Sequence, residues 1–104
     1  MVCAMDSEAV HLRRKLASVV EEPSPVPGYW RVSRGKLHGV DVRLLICNIG
    51  IANAASSTAA VLSGGWRPRY VLNYGCSGAH GAAIREGDVV RVAPATPLYT
   101  EALP

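Results

Sequence analysis

Apolar and polar positions in the first part of the chain predict a strand, a sharp turn and a helix. A short apolar run, residues 1–5, leads into Asp6 and Ser7, whose short oxygen-bearing side chains suit a helix N-cap. Apolar residues then recur at roughly helical spacing as far as Val20. We therefore expect a strand before Asp6 and a helix from about Asp6 to Val20.

Two further strands are predicted on either side of a tight turn. The segment 22–28 has three prolines in five positions, which indicates a loop. Residues 29–36 and 40–47 have the composition of strands, and apolar residues occupy alternate positions in the second of them. Gly39 gives the connection at 37–39 the backbone freedom of a hairpin turn.

The second part of the chain continues the alternation of helix and strand. The Ala- and Ser-rich stretch 52–62 favours a tightly packed helix that ends at Gly64 and Gly65. Strands are predicted at 69–73 and 89–93. Because strands alternate with helices and a hairpin occurs early, we expect an α/β fold, a three-layer αβα sandwich with a mixed central sheet. No helical pattern follows the last strand, so this single domain is expected to be partial.

Composition limits the kind of protein. The 104 residues suit one small domain, 49% are hydrophobic, and the mean hydropathy is +0.16. The net charge of +3 is spread out and lacks the basic stripe with interleaved aromatics that is typical of nucleic-acid binders. Charged residues near the start exclude a signal peptide there, and no apolar run approaches the ~18 residues of a membrane helix. Three cysteines without a CxxC pair indicate a reduced, cytoplasmic protein.

Two features could carry chemistry, and each also has an ordinary structural interpretation. Glu8 lies in the first turn after a strand, where α/β folds gather ligands. A carboxylate there can orient or deprotonate a water, or it can simply complement the helix dipole. The turn from Gly75 to Gly78 has glycine on both sides, which lets a backbone approach a ligand closely. It can equally be an ordinary turn after a strand.

Other candidate sites are weaker. Cys76 would need a positioned base to act as a nucleophile, and His80 is the only local one. The three histidines, His11, His38 and His80, lack the spacing of metal ligands, so no metal site is predicted. Residues 50–54 contain neither GxGxxG nor a GK[ST] ending, so they give little support for a nucleotide-binding loop. No cofactor is predicted.

Four short segments carry more specific motifs: Ala4–Glu8, Ile49–Gly50 with the helix after it, Val71–Gly78 and Glu86–Val90. In the same order they resemble the AMxxE, GIGKVNAA, xxNxGxAGG and xxGDVV segments of the methylthioadenosine/S-adenosylhomocysteine nucleosidases. That family belongs to the nucleoside phosphorylase superfamily. The resemblance covers almost the whole chain and corresponds to the N-terminal half of such a protein.

The resemblance implies hydrolysis of the N-glycosidic bond of a purine nucleoside, with a place in nucleoside catabolism and methionine salvage. Glu8 takes the position of the family's general base, which activates water. Met5 and Ile49 fall where the family contacts the ribose and the attacking region. The turn beside the nucleoside is represented by Cys76, Ser77 and Gly78. Family members are usually homodimers, so a small-molecule nucleoside and a second copy are the expected partners, without nucleic acid or membrane.

The chain also departs from the family pattern. Cys76 stands where Ser or Thr is usual, and Ala79 and His80 follow where a second Gly is common. The family's ribose-gripping Met-Glu pair and its purine-protonating Asp belong to the half that this sequence does not contain, so catalysis is expected to be incomplete.

Two alternatives stay open. One is an inactive fragment or paralogue that binds a nucleoside or only self-associates. The other is a purine nucleoside phosphorylase. Phosphorylases typically have an arginine before the glycine turn, where this chain has Asn73, so hydrolysis is the preferred reaction.

Overall fold

A computed structural model describes residues 1–96 of the chain. Its elements, in chain order, are β1 (Val2–Cys3), α1 (Asp6–Lys15), β2 (Ala17–Glu22), β3 (Arg31–Leu37), β4 (Val40–Ile46) and α2 (Ile51–Leu62). The four strands form one sheet in the order β1-β4-β3-β2. Strand β1 is parallel to β4, whereas β3 is antiparallel to both β2 and β4. The predicted mixed sheet is confirmed.

The two helices cover opposite faces of this sheet. Leu44 and Ile46 belong to one buried cluster, which includes α1 and its C-cap through Ala9, Leu12 and Leu16. Leu45 and Cys47 belong to a second cluster, against which Ala60 and Val61 of α2 pack. Because successive side chains of a strand point to opposite faces, β4 is buried on both sides. The three-layer αβα arrangement is therefore confirmed.

The hairpin forms where the sequence predicts it. Strands β3 and β4 pair in continuous register from Arg31 opposite Ile46 to Leu37 opposite Val40. His38 and Gly39 connect them with φ angles of 50° and 79°. Positive φ at both central residues is the requirement of a type I′ turn, whose twist matches that of the strands.

Helix α1 is shorter than its apolar pattern predicts. It ends at Lys15, and the next residues form β2, so the expectation of a helix to Val20 is wrong. Val20 lies opposite Arg34 of β3, and β-branched residues favour a pleated surface of this kind. The basic residues just before the end, Arg13 to Lys15, suit the negative end of a helix dipole.

Between α2 and residue 96 the chain forms no regular element. Asn73 alone makes a parallel bridge to Val2, through hydrogen bonds from Val2 N–H to Leu72 O (2.7 Å) and from Tyr74 N–H to Val2 O (2.9 Å). The predicted strands at 69–73 and 89–93 are therefore wrong. A strand needs a paired neighbour, and within residues 1–96 neither segment has more than this one bridge.

The described residues contain no helix that is both long and apolar enough to cross a membrane.

Candidate functional site

Three segments of the chain run in the same direction and end at one edge of the sheet. Strands β1 and β4 are parallel, and the bridge at Asn73 makes the segment around it parallel to β1 as well. The residues that follow these segments are Met5–Glu8, Ile49–Gly50 and Gly75–Gly78. In α/β folds, ligands bind outside the carboxyl ends of parallel strands.

The carboxylate of Glu8 connects two of these segments. Its Oε1 accepts hydrogen bonds from the N–H groups of Ala4 and Met5, both at 3.1 Å. Its Oε2 accepts one from the N–H of Cys76 at 2.8 Å. Glu8 therefore joins the first turn of α1 to a turn that lies 68 residues away in sequence.

The beginning of α1 explains why Glu8 faces inward. Met5 is the N-cap, in an extended conformation, so the prediction that Asp6 or Ser7 caps the helix is wrong. Glu8, the third helical residue, reaches back to the amide of Met5, which is the carboxylate half of a capping box. Asp6 is instead paired with Arg31 of β3. The first contact stabilises the turn itself, and the second joins it to β3.

The surroundings of Glu8 keep it ionised. The hydrogen bond from the Cys76 N–H lowers the pKa of Glu8 most strongly, and the Cys76 thiol and the amides of Met5 and Ala4 lower it further, against partial burial, which raises it. Hydrogen bonds to the charged form favour that form. At neutral pH the group is a carboxylate, which can orient a water or stabilise a neighbouring positive charge.

Gly75 is required for the close approach of the turn to Glu8. A β-carbon at this position would lie 3.1 Å from Glu8 Cδ and closer still to Oε2. A β-carbon at Gly78 would meet nothing within 4 Å. Of the two glycines that bracket the turn in sequence, only Gly75 has a steric reason for lacking a side chain.

An open groove of about 800 Å³ borders Glu8 and the turn, a size within the range of small-molecule sites. Its walls come from α1, from residues 73–79 and from residues 84–90. The charged and titratable side chains along it, besides Glu8, are those of His11, Tyr74, Cys76, Arg85, Glu86 and Asp88. The structure therefore places a carboxylate at the side of an open groove.

The structure brings together four of the six residues that the sequence assigned to a site. Glu8 lies on the groove together with Cys76, Ser77 and Gly78. Met5 and Ile49 are outside its walls, and their exposed fractions are 36% and 71%.

The sequence interpretation missed His11 and Arg85 as groove residues. The signal for His11 was its spacing, since it lies three residues after Glu8 on the same helix and so shares its face. No hydrogen bond joins Cys76 to His80 among the described residues, so a Cys-His nucleophile gains no support.

The turn after β4 is held by a hydrogen-bond network that the sequence did not predict. Asn53 donates from Nδ2 to Ile49 O (2.8 Å) and accepts at Oδ1 from Trp30 Nε1 (3.3 Å). Asn48, with a φ of 68°, donates from Nδ2 to Tyr29 O (2.7 Å). These contacts fix the backbone at Ile49 against the entry to β3.

No cluster of three or more His, Cys, Asp or Glu side chains that could hold a metal ion occurs in the part of the chain that the structure describes.

Comparison with known proteins gives a consistent picture. Residues 1–95 match the Phosphorylase superfamily. A 5'-methylthioadenosine/S-adenosylhomocysteine nucleosidase of Geobacillus sp. (strain WCH70) is 40% identical over 90 residues, which are 86% of this chain and 37% of that protein. The nucleosidase of the same name from Bacillus subtilis (strain 168) is 34% identical over 90 residues, which again are 86% of this chain and 37% of that protein. The chain thus spans 37% of the length of these curated relatives.

A solved structure is also similar. It is that of the 5'-methylthioadenosine/S-adenosylhomocysteine nucleosidase from Neisseria meningitidis in complex with methylthio-immucillin-A. Its TM-score is 0.53 at 29% identity, and the match covers 60% of this chain and 26% of that one. The fold, the motifs at the sheet edge and the match over residues 1–95 agree: the chain belongs to the phosphorylase superfamily.

Proposed function

We propose that this chain supplies the water-activating part of a purine nucleosidase site, which hydrolyses the N-glycosidic bond of nucleosides like methylthioadenosine or S-adenosylhomocysteine. The observation that carries the proposal is the carboxylate of Glu8, held at the groove by the N–H of Cys76. The names of the similar nucleosidases support the substrate class. The proposal concerns the complete site, of which this sequence contains a part.

The hydrogen-bond capacity of Glu8 supports a role in holding water. Each carboxylate oxygen has about two lone-pair acceptor sites. Both sites of Oε1 are used by the amides of Ala4 and Met5, whereas Oε2 accepts the N–H of Cys76 and has the Cys76 thiol as its other neighbouring donor. Because a thiol is a weak donor, an O–H from the groove can take its place on Oε2. A water donating there has its oxygen lone pairs directed away from Glu8.

Glycosidic cleavage makes a second use of the same negative charge. Departure of the base leaves positive charge on the sugar, in an oxocarbenium-like transition state. A fixed carboxylate stabilises that charge and accepts a proton from the attacking water. We assign the turn residues Cys76, Ser77 and Gly78 to the nucleoside, because they line the groove next to Glu8. Met5 and Ile49, which follow the ends of β1 and β4, are assigned to the ribose side.

We also propose that the complete protein is a cytoplasmic homodimer. Two exposed isoleucines, Ile49 and Ile51, support a contact with a second copy, since their side chains are 71% and 68% exposed next to the sheet edge that carries the site. Helix α2, which begins at Ile51, is rich in alanine, and its one buried residue is Ser57. Its outer face therefore offers small and apolar side chains.

A chimera tests the proposed reaction. Residues 1–95 of this chain would replace the matching segment of the Geobacillus sp. (strain WCH70) nucleosidase, and adenine release from methylthioadenosine would be measured in phosphate-free buffer. We expect turnover by the chimera, 5-methylthioribose as the second product, and no measurable turnover by the 104-residue chain alone. Release that requires phosphate and yields 5-methylthioribose 1-phosphate would assign the site to a phosphorylase. A folded, inactive chimera would contradict the proposal.

A further inference from the structure

We propose that Gly75 and the main-chain N–H of Cys76 together form a positioning element for Glu8, which fixes the position of Oε2 beside the groove. That this position serves catalysis rests on the proposed function. The geometry itself can be tested without any catalysis.

The contact with Cys76 adds a constraint that α1 alone cannot supply. The bonds from Ala4 and Met5 both end on Oε1 and come from the same turn as Glu8. They leave the direction of Oε2 to be set by something outside the helix. The N–H of Cys76 provides this second anchor at 2.8 Å, from a segment that is itself hydrogen-bonded to β1 through Tyr74. Two anchors on two segments define the plane of the carboxylate.

Gly75 makes this anchor possible for a steric reason. A side chain at this position would occupy the space of the Glu8 carboxylate. Because a glutamate side chain is flexible, the expected response to a methyl group at Gly75 is rotation of Glu8 away from the turn, with loss of the Cys76 bond. The chain can fold with that change, but Oε2 then loses its fixed position beside the groove.

The Cys76 anchor is a backbone group, so the side chain at position 76 can be changed without removing it. Alanine at this position keeps the N–H and removes the thiol, whereas proline removes the N–H. Gly75 tolerates the restriction that a following proline imposes. The pair Cys76→Ala and Cys76→Pro therefore separates the amide from the thiol.

The protonation of Glu8 gives a direct readout of this contact, provided that its other charged neighbours are unchanged. The titratable and charged groups around it are Cys3 of β1, His11 of α1, the thiol of Cys76, and Tyr74, Arg85, Glu86 and Asp88 of the groove wall. Alanine in place of Gly75 or of Gly78 alters none of these groups. A shift in the Glu8 titration then reports a change in the distance or direction of the Cys76 N–H.

The first experiment compares Gly75→Ala with Gly78→Ala in the 104-residue chain. The pKa of Glu8 is measured by pH titration of its side-chain carboxyl carbon by NMR, and the thermal midpoint confirms that each variant is folded. We expect the pKa to rise toward that of an ordinary glutamate in Gly75→Ala and to stay at the wild-type value in Gly78→Ala, where a β-carbon meets nothing. Equal titrations in both variants would overturn the positioning element.

The second experiment applies the same titration to Cys76→Pro and Cys76→Ala. We expect a clear rise in the Glu8 pKa for proline and a smaller one for alanine, because the amide lowers it more than the thiol does. A rise of the same size in both would assign the effect to the thiol and overturn the proposal. If the proline variant does not fold, the comparison of Gly75→Ala with Gly78→Ala decides whether the positioning element exists. An inactive chimera with normal Glu8 titrations would reject the proposed function and leave this inference intact.

Discussion

At the scale of single residues, Glu8 combines a contact within its own helix turn with a place on the groove. It complements the first turn of α1 by accepting from Met5, and it also faces a groove. The sequence identified Glu8 because local patterns place it just after a strand. It could not identify the third hydrogen bond, because Cys76 lies 68 residues away and only the folded chain brings the two together.

The lowered pKa of Glu8 predicts a pH-dependent stability. A carboxyl whose pKa is lower in the folded state stabilises that state above its unfolded pKa, and this contribution is lost as the pH falls through the folded pKa. Replacement by glutamine (Glu8→Gln) should therefore cost about 1 kcal/mol at neutral pH and progressively less at acidic pH. Urea unfolding of both proteins across this range measures the difference. A difference that does not change with pH would contradict the assigned cause.

At the scale of elements, the sequence predicted those helices and strands that local patterns specify. Where a predicted element did not form, contacts with distant segments, or the lack of them, give the reason. The hairpin of β3 and β4 is specified by its own turn residues and formed as expected. The end of α1 was missed because Val19 and Val20 fit a helical repeat as well as they fit β2, and pairing with β3 decides between them. The apolar segment 89–93 has no strand beside it in the described chain, and Val89 is 99% exposed.

The type I′ turn of the hairpin predicts opposite effects at its two central residues. Alanine in place of Gly39, where φ is 79° and a β-carbon meets nothing, should cost roughly 1–2 kcal/mol of stability through backbone strain alone. Asparagine in place of His38, where φ is 50°, should stabilise the protein by a few tenths of a kcal/mol, since Asn-Gly suits this turn best. Urea midpoints measure both, and changes of the same sign would contradict the turn assignment.

At the scale of the whole molecule, the layer order and the family could be predicted from the sequence. The set of segments that line the groove could not. Four motifs in order sufficed for the family, which the match over residues 1–95 shows. Nothing in the local pattern of residues 84–90 indicates that they line a groove with Glu8. The place of Ile49 depends on Asn53 and Trp30, which hold its turn from neighbouring elements.

The proposed homodimer predicts a difference between two exposed apolar positions. Ile51 on α2 and Val40 at the hairpin are 68% and 64% exposed, so they are a matched pair on different surfaces. A charge introduced by Ile51→Glu should raise the dissociation constant of the dimer by at least about tenfold, whereas Val40→Glu should leave it unchanged. Sedimentation equilibrium measures both. A monomeric parent protein, or equal effects of the two changes, would reject α2 as the contact surface.

In the proposed reaction, the carboxylate of Glu8 activates the water that cleaves the nucleoside. The most direct measurement is the initial rate of adenine release by the chimera carrying Glu8→Gln. Asp41→Asn serves as its control, because Asp41 lies in the hairpin and pairs with Lys36 away from the groove. We predict a rate about 10²–10⁴-fold lower for Glu8→Gln and no change for Asp41→Asn. An undiminished rate in a folded Glu8→Gln chimera would contradict the claim.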